Sequence, residues 1–495
     1  MKIPPVLLKR RALILTVTLL SNACTVGPDY HRPSSAESST FKELHGWKQA
    51  QPSDHLLPSQ WWTLFNDVYL NNLVAQVQLN NQSLVQAEAQ FRQAQALVQG
   101  ARSAYFPTAT ATATTNRFRA ASGQSVAVSG VRSLFGTALS VAWEPDLWGT
   151  VRRQVEANQA TAQASFATLQ ALRLSTQATL VQSYFQLRAL DAQKKIFDDT
   201  RATYAKTLQM LKNRYAVGVS AKAELVQAQT QLQSIQAQGI HLGVQRAQLE
   251  HAIALFIGKT PSELRIPVTP FTSTLPSIPV SIPSQLLERR PDLAVAERQV
   301  AAANAAIGVA KAAYFPTVNL SATNGFQSGT LSNVLTSAAR YWALGPAALA
   351  LPLFDGGAKG AQMEASIAAY DATVAAYRQS VLTSFQEVED HLAALRILEQ
   401  ETQIQQQAVS SAQEALALTS NQFQAGTVSY LNVMTAQVVA LDNQKTAITL
   451  LGQRLDASVM LIKALGGGWA STAIPPADAI GGEAKWSQFL PIPLR

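Results

Sequence analysis

Two stretches, Thr150 to Val217 and Ala358 to Ala425, run for 68 residues each, the first without proline or glycine and the second with Gly360 alone. Both are rich in Gln, Ala and Leu, which favour helix. Each reads as one uninterrupted α-helix, roughly 100 Å long at 1.5 Å per residue. An ordinary globular helix has about 11–12 residues. A compact domain cannot hold two such rods, so the chain builds something extended.

The rods belong to a duplication. Ala104-Tyr105-Phe106-Pro107-Thr108 recurs as Ala313-Tyr314-Phe315-Pro316-Thr317, and Ala87-Glu88 as Ala296-Glu297, at an offset of 209. Tyr215-Ala216-Val217-Gly218 recurs as Phe423-Gln424-Ala425-Gly426 at an offset of 208, which the rods share. Two matched repeats follow, 68–258 and 284–466. In each, a helix of about 30–37 residues is stopped by Pro107 or Pro316, whose ring clashes with the preceding turn and brings no N–H. A strand pair comes next (about 107–148 and 316–355), then the long helix (150–217; 358–425). A Gly turn and a returning helix (220–257; 428–465) complete the unit. The returning and opening helices, laid end to end, match about one rod. Residues 259–283 form a Pro-rich connector, and 467–495 an irregular tail.

The strands carry the case for a membrane. Thr108 to Thr114 alternates Thr and Ala, and Phe135, Thr137, Leu139, Val141 and Trp143 share a face opposite Gly136, Ala138, Ser140 and Ala142. Val318, Leu320 and Ala322 oppose Asn319, Ser321 and Thr323 in the third strand. Period-2 runs with one apolar and one small or polar face match transmembrane barrel strands, and Tyr105, Phe106, Trp143, Trp148, Tyr314, Phe315, Tyr341 and Trp342 suit interfacial girdles. The fourth strand, Tyr341 to Leu353, contains Pro346, which implies a bulge or an edge position. Gly- and Ser-rich segments, Ala120–Arg132 and Gln327–Ala339, are the external loops. Four strands cannot close a barrel, and hydrocarbon does not tolerate an open edge. Spanning strands therefore require a barrel shared between copies of the chain.

The N-terminus reads as an export signal, residues 1–23. Basic Lys9-Arg10-Arg11 precedes the apolar run Ala12–Leu20, with small residues and Cys24 after it. Cys24 is the only cysteine. Its setting resembles a bacterial lipobox, in which that Cys is acylated, although Ser21 and Asn22 depart from the pattern. Thr25 stands where an Asp resembles an inner-membrane retention signal, which favours the outer membrane. Residues 24–67 form a lipid-anchored, extended segment lying over the body. Removal of residues 1–23 leaves 35 Lys+Arg against 31 Asp+Glu, a net charge of +4. That balance gives no basis for nucleic-acid binding.

The rods have a seam. Leu190, Phe197, Tyr204 and Leu211 recur every seven residues, as do Val409, Leu416 and Phe423. A strict seven-residue repeat imposes left-handed supercoiling. No enzyme signature is present: the six histidines are scattered, without His-Glu-x-x-His or Gly-x-Ser-x-Gly. No cofactor or metal site is expected. Glu387, Glu389 and Asp390 read as a solvated helix face.

Several motifs together resemble the outer-membrane factor (TolC-like) family of tripartite, resistance-nodulation-division type efflux systems, in its lipoprotein branch. They are Cys24-Thr25-Val26-Gly27-Pro28-Asp29-Tyr30, Trp143-Glu144-Pro145-Asp146-Leu147-Trp148-Gly149, and Glu288-Arg289-Arg290-Pro291-Asp292-Leu293. The resemblance implies a homotrimer: a long α-helical periplasmic barrel of two tandem repeats, continuing into a trimer-shared, twelve-stranded outer-membrane β-barrel. It implies a passive exit duct for small toxic compounds, served by a periplasmic membrane-fusion adaptor and an inner-membrane efflux transporter. A duct for secreted polypeptides and a non-conducting envelope scaffold are the alternatives. The adaptor would meet the turns Val217-Gly218-Val219 and Ala425-Gly426-Thr427. The pore would narrow at this tip, where relatives often carry acids; Asn432 and Thr435 stand there instead, Val428 replaces a basic residue, and Glu224 alone is acidic. Leu431, Tyr215 and Phe423 are then the expected steric restrictors.

Overall fold

The structure, a computed structural model, describes residues 26–35, 41–43, 59–119, 131–271, 275–276, 278 and 288–482. The signal segment, Cys24, most of the first external loop, much of the connector and the end of the tail lie outside the described residues. A short turn, Trp61–Phe65, leads into α1 (Val68–Asn80), α2 (Gln82–Ser103), β1 (Thr108–Arg119), β2 (Val131–Trp143), α3 (Thr150–Ala216) and α4 (Lys222–Phe256). The second half supplies α5 (Pro291–Ala312), β3 (Thr317–Ser328), β4 (Arg340–Ala350), α6 (Ala358–Gln424) and α7 (Tyr430–Ala464). The rods α3 and α6 are unbroken over 67 residues each. Both start at a left-handed glycine, Gly149 or Gly357. An aspartate just upstream accepts from the first free N–H groups: Asp146 from Val151 and Arg152, Asp355 from Gly357 and Lys359.

The opening helix is not the continuous 30–37 residues expected. In the first half it breaks at Asn81, which is extended and caps α2 by accepting from Leu84 N at 3.1 Å. In the second it breaks at Arg290, which is extended between helical Glu288–Arg289 and α5, and α5 begins at Pro291, whose missing N–H costs nothing in the first turn. The breaks are also splices. Asn81 Nδ2 donates to the Phe256 carbonyl at the end of α4 (2.8 Å), and Arg290 Nη1 to the Ala464 carbonyl at the end of α7 (3.1 Å). Thus α4 abuts α2, and α7 abuts α5, end to end. The chain leaves each splice at a left-handed glycine, Gly258 (φ +68°) and Gly466 (φ +91°). A Cβ there would lie 2.2 Å from the Asn80 carbonyl oxygen or 2.0 Å from that of Arg289.

Four staves result, in the order α2/α4, α3, α5/α7, α6. The antiparallel sheet has the order β1-β2-β3-β4. Because α2 enters β1, β2 enters α3, α5 enters β3 and β4 enters α6, each stave continues into the strand of the same rank. No connection crosses another, as connections in folds generally do not.

The register sorts the sheet into two faces. Ala111, Leu139, Asn324 and Trp342 are aligned across it, as are Ala109, Val141, Ala322 and Leu344, with Val318 opposite Leu349. The other face aligns Thr110, Ser140 and Thr323, where the Ser140 and Thr323 hydroxyls meet at 3.3 Å. The apolar face is solvent-facing in the protomer, with Leu344 84% exposed. Pro346 meets both expectations at once: β4 is an edge strand, and its pairing with β3 shifts register between Leu320 and Ala322. Among the described residues no helix is long and apolar enough to cross a membrane.

Burial is uneven along the staves. α3 is flanked on both sides and buries side chains from Arg153 to Leu211. Among the helices α6 packs mainly on α5 and α7, and it buries mainly Tyr377 to Leu395, then Ala412 and Phe423. About midway along α3, Leu180, Tyr184, Phe185 and Leu187 meet Trp61, Phe65, Leu70 and Ile266 in the largest apolar core. A buried indole or phenyl ring removes roughly 150–250 Å² from water. This girdle therefore outweighs surface pairs such as Lys195–Asp199 (3.0 Å), worth about 0.3–0.5 kcal/mol.

Candidate functional site at the helical tip

The two ends of the helical layer differ in chemistry. At the strand end, Pro107 and Pro316 stand immediately before β1 and β3, and the helices stop at Ser103 and Ala312. Trp148 stacks on Phe315 with centroids 4.8 Å apart and donates its indole N–H to the Pro316 carbonyl at 2.7 Å. Trp143 donates to the Tyr105 carbonyl at 3.1 Å. Trp148 thus joins the two repeats where helix gives way to strand, and Trp143 ties β2 to the end of α2 within the first.

At the far end, both Gly turns are built alike. Val219 N donates to Arg214 O (2.9 Å) and Thr427 N to Gln422 O (3.0 Å), each spanning five residues. Gly218 (φ +74°) and Gly426 (φ +79°) take the left-handed position that such helix endings require. Val217, Gly218, Val219, Ala425, Gly426 and Thr427 are all exposed. Neither glycine has anything within 4 Å of where a Cβ would stand. Both turns are free of internal packing.

The expected restrictors separate. Tyr215 is 43% and Leu431 51% exposed, whereas Phe423 is 4% exposed. Phe423 is therefore not a free restrictor. It packs with Leu208, Leu211, Ala228, Tyr430 and Val433, holding the α3/α4 and α6/α7 pairs together. The Arg214 guanidinium lies 5.0 Å above its ring and Tyr430 5.9 Å away. Glu224 lies half-buried in the first turn of α4, and Asn432 and Thr435 are exposed in α7, where Thr435 Oγ1 donates to the Leu431 carbonyl at 3.0 Å. Arg214 and Tyr430 were not singled out by the sequence, although Tyr430 stands seven residues after Phe423, at the seam spacing.

In the seam, Phe197, Tyr204 and Leu211 are buried, while Leu190 is half-buried beside a cavity. Of the three α6 acids expected on a solvated face, Asp390 is exposed, but Glu387 and Glu389 are tied to other segments. Glu387 pairs with Arg290 at 2.7 Å, and Glu389 accepts the backbone N–H groups of Lys42 (2.6 Å) and Glu43 (2.9 Å). Burial works against the Asp292 carboxylate, but the Arg290 hydrogen bond and charge outweigh it and hold its pKa below the ordinary value. This contribution to stability is present above the ordinary carboxylate pKa and is lost as pH falls through the depressed one.

The N-terminal segment is a strap. Val26 N donates to the Trp148 carbonyl (3.2 Å), Arg153 binds Asp29 (3.0 Å), and Asn304 donates to the Pro28 carbonyl (3.1 Å). Farther along, Tyr30 donates to Glu297 (2.5 Å), Arg32 to the Tyr377 hydroxyl (3.1 Å), and Glu43 pairs with Arg396 (2.6 Å). Gly27 lies so close to Gly308 that a Cβ would fall 2.5 Å from its Cα. The strap starts at the helix–strand junction and descends along α5 and α6.

A one-faced sheet fed by rods of this length defines an envelope-spanning channel subunit. The family model for outer membrane efflux proteins matches residues 73–259 and 282–467, and the chain belongs to that family. The pyoverdine export outer membrane protein OpmQ of Pseudomonas aeruginosa is 31% identical over 465 residues, covering 92% of this chain and 97% of that protein. OprJ of the same species is 30% identical, covering 92% and 95%, and the toluene efflux pump outer membrane protein TtgC of Pseudomonas putida is 29% identical with the same coverage. The outer-membrane channel OprN superposes with a TM-score of 0.83 at 30% identity, over 90% of this chain and all of that one. CmeC of Campylobacter jejuni shares the fold, with a TM-score of 0.85 at 22% identity over 92% and 97% of the two chains. This protein is an outer-membrane channel of an efflux pump, with a large periplasmic helical part.

Proposed function

We propose that three copies of the chain close a twelve-stranded barrel and a continuous helical tunnel. The tunnel is a passive exit for small toxic compounds, with no catalytic step of its own. The observation that carries this is the coincidence of stave and strand order, with both edges of each layer unpaired. On the α6 edge Leu382, Ile397, Ile404 and Leu418 are exposed, and on the α2/α4 edge Leu97, Val226, Ile240 and Val244. Joining these edges satisfies β1 and β4 in the bilayer and covers both stripes. The names of the relatives span toluene and pyoverdine, which favours small organic cargo over polypeptides.

In this scheme an inner-membrane transporter and a periplasmic adaptor deliver the cargo, and the adaptor docks on the two Gly turns. Leu431 and Tyr215 narrow the pore, with Glu224, Asn432 and Thr435 beside them. Phe423 clamps the helix pairs from within, and Arg214 covers its ring; an exposed cation–π contact contributes about 0.5–1 kcal/mol. The purified trimer in a planar bilayer is expected to conduct poorly, and Leu431→Ala with Tyr215→Ala to raise the conductance several-fold. Arg214→Ala is expected to increase the frequency of openings, not their size. A trimer that stays silent in all these forms would refute the duct.

Cys24 is proposed as the lipid anchor. The chain is held at the Trp148 carbonyl only two residues later, about 7 Å away at most. An acyl chain on Cys24 therefore starts beside the helix–strand junction, at the level of the membrane surface. Metabolic labelling with a palmitate analogue is expected to mark the wild-type protein and to vanish in Cys24→Ser; a persisting label would place the lipid elsewhere.

A further inference from the structure

Beside the middle of α3 lies a cavity of about 460 Å³ whose wall carries five amides, Gln186, Gln193, Gln245, Gln248 and Gln453, and one carboxylate, Asp456. Leu190 and Leu249 supply an apolar surface, and Gly452, with Ala189 Cβ at 3.5 Å from its would-be Cβ, lets α7 approach α3 closely. Gln193 is tied to the Thr449 hydroxyl at 3.2 Å. The Asp456 carboxyl lines the cavity, and its Oδ1 is buried without a hydrogen-bond partner. Burial raises the pKa of this carboxyl, against the opposing influence of the nearby Gln182 and Gln186 amides and of His391, as for a carboxylate short of donors.

The cavity opens on the side of the layer that no described segment covers. Tyr184, Arg188 and Asp191 of α3 face the girdle, where Arg188 donates to the Pro267 carbonyl at 2.6 Å. At 3.6 residues per turn, Gln186 and Gln193 lie about 200° and 180° around the helix from Tyr184. Strap, connector and α1 cover the other side, so in a closed tunnel this face is the lumen. That assignment rests on the duct proposed above.

We propose that the cavity is a luminal binding station for protonated amines that carry an apolar group. The Asp456 carboxylate on the cavity wall takes the ammonium N–H, the glutamine carbonyls complete its hydrogen bonds, and Leu190 and Leu249 take the apolar body. Organic cations would be concentrated in the duct above their free level, while uncharged molecules of the same size would pass without pausing.

Equilibrium dialysis of the purified full-length protein against dansylcadaverine, a primary ammonium with an aromatic group, tests this. Dansylamide, which lacks the amine, is the comparison. The wild-type protein is expected to bind dansylcadaverine roughly tenfold or more tightly than dansylamide, from one charge-assisted hydrogen bond. Asp456→Asn keeps the side chain's shape and is expected to abolish the preference while leaving dansylamide binding unchanged. Gln453→Lys, at an exposed position on the rim, is expected to do the same without touching the packed interior. Equal wild-type affinities, or a preference retained in both variants, overturn the proposal. Bilayer conductance is measured separately, so a conducting trimer without amine preference removes the station and leaves the duct standing.

Discussion

Gly466→Val is expected to prevent the second half of the chain from assembling, and Gly258→Val the first. At each position the added Cβ would collide with a backbone carbonyl oxygen, at 2.0 Å for Gly466 and 2.2 Å for Gly258, so no side-chain rotation relieves it. Each residue also holds a positive φ, which a β-branched side chain adopts only with strain. The combined cost is roughly 4 kcal/mol or more, in the range that unfolds marginal structures. The checks are the yield of trimer from outer membranes and the midpoint of thermal unfolding. Gly360→Ala is the control: Gly360 is helical, its nearest neighbour is the Tyr314 hydroxyl at 3.9 Å, and the change is expected to stabilise by about 1 kcal/mol. Wild-type yield and melting for Gly466→Val would mean that α7 and α5 are not spliced there.

Asp191→Ala is the second large effect. The Asp191 carboxylate is 5% exposed, with Arg246 Nε at 2.7 Å and Arg188 Nη1 at 3.5 Å. The two guanidinium groups also hold the connector: Arg188 donates to the Pro267 carbonyl and Arg246 to that of Ile266, at 2.6 and 2.7 Å. Glu250 remains on Arg246 at 3.1 Å, but Arg188 loses its only carboxylate among the described residues. Removing one partner from a buried ion pair costs about 3–5 kcal/mol, because the charge left behind is neither hydrated nor paired. A lowered melting point and new proteolytic cleavage in the connector are expected. Asp199→Ala, at the exposed pair with Lys195, is expected to change stability by about 0.5 kcal/mol or less. Equal effects of the two substitutions would show that the cluster is not a clamp.

How much of this was legible in the sequence depended on the range of the interactions. The rods were, because an unbroken helix needs only the absence of breakers, a local property. The strand faces were, because alternation is local too: Leu139 and Val141 stand on the apolar face that their parity predicts. Pro346 announced the irregular edge. The splices were not, since Asn81 and Phe256 are 175 residues apart and nothing in either neighbourhood names the other. The same limit hid the partners of Glu387 and Glu389, which look solvated along their own helix and become clamps only when α5 and the strap arrive. Phe423 illustrates a subtler failure. An aromatic beside a turn has one appearance in sequence whether it fills a pore or a core, and only the arrival of Tyr430 and Arg214 decides between them.

The splices also make each half of the chain a closed circuit. Starting at Asn81, the path climbs α2, crosses the hairpin, descends α3, rounds the tip and returns along α4 to its own origin. A circuit has one point of entry and exit, and here both circuits have it at the same height, beside the girdle. The covering segments must therefore reach the body from that level or above it. The strap descends to it, the connector bridges it, and the tail runs back toward the membrane, where Gln163 and Gln159 hold the carbonyls of Pro475 and Ala477. Below it, the remaining half of each rod is a single layer that no other described segment covers. Among the described residues the molecule is thus an armoured collar with an unarmoured skirt, and the turns at the tip lie beyond the reach of the collar.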